Sequence, residues 1–286
     1  MRDAVRPDAV RTGVPAMVNG AREGFGRVAL ACTRRVLGAA ARQVGAYALA
    51  IAGILAAWHL LAVMVASPAL PTPGATVAVF TQHVPALLPA FWVSLYRVAA
   101  AIGVASVLAA PLGLLLGRSA RLDAFAAPVL AILYPIPKIV LLPVLLVLLG
   151  LGDAAKIALM AVTVFFQVLV SVRDAARLVP DELVVSVRSL GASRLDLAWH
   201  VVLPSVLPSL FSALRVSSGT AVAILFLAEA IAGSTGLGYF IMNAWAMVDY
   251  PAMFAGIIAM AALGVACYEL FHLCEYLSTP WRRVRG

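Results

Sequence analysis

Four ionisable side chains stand inside long apolar runs, and each is a candidate for chemistry at membrane depth. Arg97 lies in "SLYRVAAAIG", Lys138 in "YPIPKIVLLP", Arg215 in "LFSALRVSSG" and Glu229 in "FLAEAIAGSTG". A charge in hydrocarbon is costly, so such a group pairs, snorkels to the interface or lines a route for a solute. Arg97 is near the start of its run, which reads as a structural, snorkelling position. Lys138 follows Pro135 and Pro137, and prolines free backbone groups that survive only where a neighbour or a cavity satisfies them. Two readings stand for this lysine: it meets an anion on a pathway, or it pairs with an acid. Arg215 lies about 12 Å into its run, and Glu229 about 21 Å farther along. Glu229 is expected to face a helix interface or a pathway rather than the lipid edge. Lys138, Arg215 and Glu229 are therefore the candidates for a translocation route.

Enzyme chemistry finds no support in the pattern. His59, His83, His200 and His272 are scattered, so no ligand set for a metal forms, and no nucleophile–histidine–acid or paired-carboxylate arrangement occurs. Cys32, Cys267 and Cys274 have neither metal-type spacing nor a disulfide framework. A phosphate-cradling loop needs glycines followed by Gly-Lys-Ser/Thr, and the chain has no Gly-Lys pair. The run "GSTGLG", Gly233–Gly238, follows a membrane helix rather than a strand and reads as a turn. Any ATP chemistry must then belong to another chain.

The elements that position these residues follow from composition. Of the 286 residues 63% are hydrophobic and 12% charged, against about 25% charge in a soluble domain. Lipid must be the solvent for much of this surface. The net charge of +8 does not argue for nucleic acid, because the arginines sort by membrane side. Six apolar runs approach the ~20 residues of a spanning helix, over 45–66, 93–117, 126–149, 155–172, 207–232 and 253–273. The expected fold is all-α: a basic tail over 1–44, a six-helix membrane domain over 45–276 and a short tail over 277–286. The basic tail is partly disordered or carries an interfacial helix near "GFGRVALACTRRVLGAAAR". Gly113 and Gly117 form a GxxxG pair suited to close helix packing within the chain.

Arginines of both tails, of the loop after the second run (Arg118, Arg121) and of the loop after the fourth (Arg173, Arg177, Arg188, Arg194) fall on one side. By the positive-inside rule that side is cytoplasmic and holds both termini. It also holds the most polar internal segment, 181–204. Pro180 precedes Asp181 and Glu182, acids that suit the first turn of a helix, and Gly191 suits its end after Leu190. Ser193 and Asp196 have the spacing of a capping box for a second helix, with Leu195, Trp199 and Val202 on one face. Pro204 and Pro208 are expected to close that helix before the next span.

With these residues in place the sequence resembles a known family. "RSLGASRLDLAWHVVLPSVLPSLFSALR" is similar to the signature cytoplasmic loop of ABC importer permeases of type I fold. Further similarity lies in "LPTPGATVAVF", "SLYRVAAAIG", "PLGLLLG", "YPIPKIVLLPVLLVLLGLGDAAKI", "LAEAIAGSTGLGYFIMNA" and "AGIIAMAALG". The resemblance is to the taurine, alkanesulfonate and nitrate permeases and covers most of the chain from Leu70 to Leu273. It implies a permease in the bacterial cytoplasmic (inner) membrane, two copies forming one pathway for a small, anionic solute. It implies two cytoplasmic ATPase subunits, carrying the ATP and magnesium, and an extracytoplasmic solute-binding protein. The coupling contact falls on Arg188, Ser189, Leu190, Gly191, Ala192, Ser193, Arg194 and Leu195. One departure is plain: Val185 stands where the family places an acid, and Asp181 or Glu182 lies about one turn upstream. The competing reading is a secondary transporter or channel that needs no ATPase.

Overall fold

The computed structural model describes residue 45 and residues 47–280, and among these every regular element is helical. The expected tail helix and the arginines Arg282, Arg283 and Arg285 lie outside the described residues. The chain divides after Ala66 into two units. In the first, α1 (Tyr47–Val65) is long and apolar enough to cross a bilayer.

The second unit begins with α2 (Pro73–Arg118), a helix of 46 residues. The expected span over 93–117 is only its second half. Thr72 caps the helix by accepting from the Ala75 N–H, and Pro73 takes the first position, where its missing N–H costs nothing. Such a helix extends for about 69 Å, over twice the ~30 Å hydrocarbon core. Ala101, Ala105, Ala109 and Gly113 are buried at intervals of four residues along it, a stripe of small residues that lets another helix approach. That helix is α5 (Asp153–Arg177), the most extensive partner of α2.

The approach is tightest at the glycines. A Cβ on Gly113 would lie 2.9 Å from the Leu169 carbonyl oxygen, and one on Gly117 would lie 2.5 Å from that of Arg173 and 2.6 Å from the Ala176 Cβ. A Cβ on Gly103, in the same helix, would meet nothing within 4 Å. Gly117→Val should therefore force α2 and α5 apart at about 1–3 kcal/mol, whereas Gly103→Ala should be neutral or slightly stabilising. Thermal unfolding of the two variants in detergent checks this; equal midpoints would refute the tight approach.

The expected third span is broken. α3 (Ala120–Leu133) and the following helical stretch, a 3₁₀ turn Lys138–Leu141 running into α4 (Leu142–Leu149), meet at 82°. Pro135 and Pro137 are the cause: neither offers an N–H, and each disfavours helical geometry at the residue before it. Five helices qualify as spans alone, and the bent pair makes a sixth.

After α5, the polar segment holds α6 (Asp181–Ser189) and α7 (Arg194–Leu197). The prolines do not close α7. A widened π turn, Ala198–Val202, carries it directly into α8 (Leu203–Ala232). The ring of Pro204 would clash with the carbonyl four residues earlier, and widening the turn moves that carbonyl away. The register shift also splits the expected face: Val202 is buried while Leu195 and Trp199 stay exposed. Between α8 and α10 (Tyr250–Ser278) lies α9 (Leu237–Ala246), which replaces the simple turn expected there.

Candidate functional site

The polar segment forms a helix, a glycine turn and a second helix. Leu190 closes α6, its N–H donating to the Val187 carbonyl, and Gly191 follows at φ +88. That left-handed geometry strains any residue with a Cβ, which explains the glycine. The reciprocal cap expected at Ser193 is present. The Asp196 carboxylate accepts from the Ser193 N–H (3.0 Å) and hydroxyl (2.6 Å), while the Asp196 N–H donates to Ser193 Oγ (3.2 Å). Polar groups thus hold the turn from within, and its apolar groups are left outward: Leu190 is 86% exposed, and Val185, Leu195 and Trp199 are exposed as well. Asp181, a possible substitute for the missing acid, pairs with Arg118 at 3.1 Å, and Arg118 also donates to the Val179 carbonyl. The α6–α7 segment is tied to the end of α2 in this way.

Far from this segment, where the middle of α2 meets the start of α5 and the end of α8, lies a buried ionic network. Arg97 does not snorkel. It is 2% exposed, and its Nη1 donates to Glu229 Oε1 at 2.6 Å and to the Thr235 carbonyl at 2.9 Å. Its Nε and Nη2 reach Asp153 Oδ1 at 2.9 and 2.6 Å, and Nη2 also donates to Thr235 Oγ1. Glu229, with no exposure at all, accepts further from the Ser94 hydroxyl (2.9 Å) and the Gly238 N–H (2.8 Å). The Leu237 N–H donates to Ser94 Oγ. Gly236, at φ +104, turns the chain so that the first N–H groups of α9 point at these acceptors. The glycine-rich run does cradle an anion, and that anion is the chain's own Glu229. Lys156 is buried too and donates to the Leu151 carbonyl.

Neither of the other two candidates stands bare. The Lys138 Nζ donates to the Leu133 (2.7 Å) and Tyr134 (2.6 Å) carbonyls, orphaned where α3 breaks, and sits 4.8 Å from the centre of the Phe166 ring. In place of the anion or acid expected from the sequence, this lysine meets a helix end, which a lysine just beyond a proline break is placed to serve. Arg215 pairs with Glu275 at 3.5 Å, donates to Ser212 Oγ and lies over the Tyr268 ring. Near the other end of the spans Asp123 of α3 binds Arg173 and Arg177 of α5. The three candidates do not converge: Lys138 and Arg215 bond to Tyr134 and Ser212, which line one cleft, and Glu229 belongs to the network.

A bundle of apolar helices, one broken, with a capped polar helix–turn–helix displayed at one end and buried charges paired within, is the architecture of a multi-pass transport subunit. Residues 109–274 match the family described as binding-protein-dependent transport system inner membrane component, and the chain belongs to that family. It is 29% identical over 188 residues to the taurine transport system permease protein TauC of Escherichia coli K12, covering 66% of this chain and 68% of that one. To SsuC of Bacillus subtilis 168, named for aliphatic sulfonates transport, it is 30% identical over 238 residues, 80% and 84% of the two chains. The fold is similar to that of the MetNI methionine ABC transporter in an inward-facing form (TM-score 0.60, 23% identity, 69% of this chain and 98% of that one).

Proposed function

We propose that the chain is the membrane-spanning half of an ATP-driven, binding-protein-dependent importer, working as a homodimer. Two cytoplasmic ATPase subunits dock on the two copies through Arg188 to Leu195, and a solute-binding protein delivers a small anionic solute from the far side. Both termini and the α6–α7 segment are cytoplasmic. The observation that carries the reading is the outward display of Leu190, Leu195 and Trp199 on a segment whose polar groups are satisfied internally. Exposed apolar side chains clustered on a rigid polar segment mark a surface made for a protein partner. Lys138 and Arg215 serve the pathway by lending positive potential to its wall. Glu229, with Arg97, holds the helix frame that must move as one body in alternating access.

The test is to purify the chain with the ATPase encoded beside it and to measure complex formation and ATP hydrolysis in lipid nanodiscs. A complex with two copies of each subunit and hydrolysis altered by the permease is expected. The absence of any complex, together with ethanesulfonate flux through liposomes holding the chain alone, would instead establish the secondary-transporter reading.

A further inference from the structure

We propose that the cleft between the end of α3, the second half of α5 and the first half of α8 is an intramembrane solute-contact site. It takes the oxoanion head of a small solute through uncharged donors, with charge held one layer behind. The inference rests on the transport reading above and adds to it the groups that touch the solute.

The cleft has a volume of about 470 Å³, room for a small solute, and its polar lining is Tyr134, Gln167, Ser171, Ser209, Ser212 and Ser217. None of its lining residues is charged. Hydroxyls in membrane helices ordinarily donate to the carbonyl one turn back, as Ser106, Thr163, Ser205 and Ser218 do here. Ser171, Ser209 and Ser217 break that habit and spend no hydroxyl on the described residues. Gln167 is half-used in the same direction: its Nε2 donates to Thr220 Oγ1 at 3.3 Å, while its buried Oε1 has no partner. Turned by half a rotation, the amide would accept from the Thr220 hydroxyl and present its NH₂ group to an anion. Both halves of the amide would then be satisfied when a solute is bound.

The field behind this neutral wall is positive. Lys138 Nζ lies 2.6 Å from the carbonyl oxygen of Tyr134, and an Arg215 Nη lies 3.2 Å from Ser212 Oγ. Glu275 pairs with Arg215 at 3.5 Å, while Lys138 is held by two carbonyls and two aromatic rings and forms no ion pair among the described residues. A cation with no carboxylate partner behind the wall favours an anion in a weakly screening medium. Because hydroxyls and an amide make the direct contacts, release breaks neutral hydrogen bonds rather than an ion pair. That suits a site through which a solute must pass.

Thiol labelling tests the site on the full chain in nanodiscs, with Cys32, Cys267 and Cys274 replaced by alanine. Ser171→Cys and Ser209→Cys are treated with 2-sulfonatoethyl methanethiosulfonate and with its trimethylammonioethyl counterpart, each rate normalised to that of free cysteine. Val107→Cys, on an exposed part of α2, is the lipid-facing control, where a reactive thiolate does not form. The expected result is labelling at both serine positions, with at least a tenfold preference for the sulfonate reagent, slowed several-fold by ethanesulfonate and not by tetramethylammonium. No labelling at either position would mean that lipid or the second copy fills the cleft, which overturns the proposal. Equal rates for the two reagents would overturn the anion preference. Either failure leaves the ATPase complex and its hydrolysis as an independent measure of the transport reading.

Discussion

Arg97→Ala will be the most destabilising single change in the described helices, and Glu229→Gln will cost distinctly less. Removing Arg97 leaves Glu229, fully buried, without its ion-pair partner: the Ser94 hydroxyl and the Gly238 N–H remain as its hydrogen-bond donors and the buried Lys156 as a more distant cation. Breaking a buried pair from one side costs about 3–5 kcal/mol, because the surviving charge has lost its compensation. For a chain of this size that is a fall of roughly 10 °C in the unfolding midpoint. Glu229→Gln removes a charge instead of stranding one. Arg97 keeps Asp153 at 2.6 Å and both oxygens of Thr235, and the new amide still accepts from a neighbouring donor. The cost should then fall to about 1–2 kcal/mol. The double variant Arg97→Met/Glu229→Leu should be more stable than the sum of its single changes predicts, since neither member of the buried pair is left without the other. Unfolding followed by size-exclusion fluorescence in detergent measures all of these. Equal losses for Arg97→Ala and Glu229→Gln would contradict the account.

How much of this was legible in the sequence depends on how far apart the partners are. The capping box at Ser193 and Asp196 was readable because it is made of residues three apart, and so was the glycine turn before it. Spans were readable as apolar runs, but their limits were not. "PTPG" carries a helix start, a threonine cap followed by proline, as clearly as it carries a break between apolar runs. The small residues at 101, 105, 109, 113 and 117 repeat every four positions, yet only the last two spell a familiar motif. Arg97 and Glu229 are 132 positions apart, and no local pattern links them; their pairing follows from α2 and α8 packing around one turn. α9 was missed because a glycine-rich turn conceals the helix it begins. The π turn was missed because prolines signal that a helix cannot continue normally, without saying whether it stops or widens.

Leu190→Asp will leave the chain folded and sever it from its ATPase. Leu190 is 86% exposed, so its replacement removes almost no burial, and an exposed substitution of this kind shifts stability by about 0.5 kcal/mol or less. If the segment seats in a partner's groove, the same side chain becomes buried there. Burying a leucine is worth about 1.5–3 kcal/mol, and an aspartate in its place must also be stripped of water. The dissociation constant for the ATPase should rise on the order of 10- to 100-fold, with a parallel loss of any hydrolysis that depends on the permease. Gly191→Val separates shape from contact. Its φ of +88 is unfavourable for valine by about 1–2 kcal/mol, so it should distort the turn and weaken docking while Leu190 remains present. Titration of the purified chain against the ATPase, beside unfolding midpoints for each variant, reads both quantities. Wild-type affinity for Leu190→Asp would remove the α6–α7 segment from the interface and with it the main support for an ATP-driven importer.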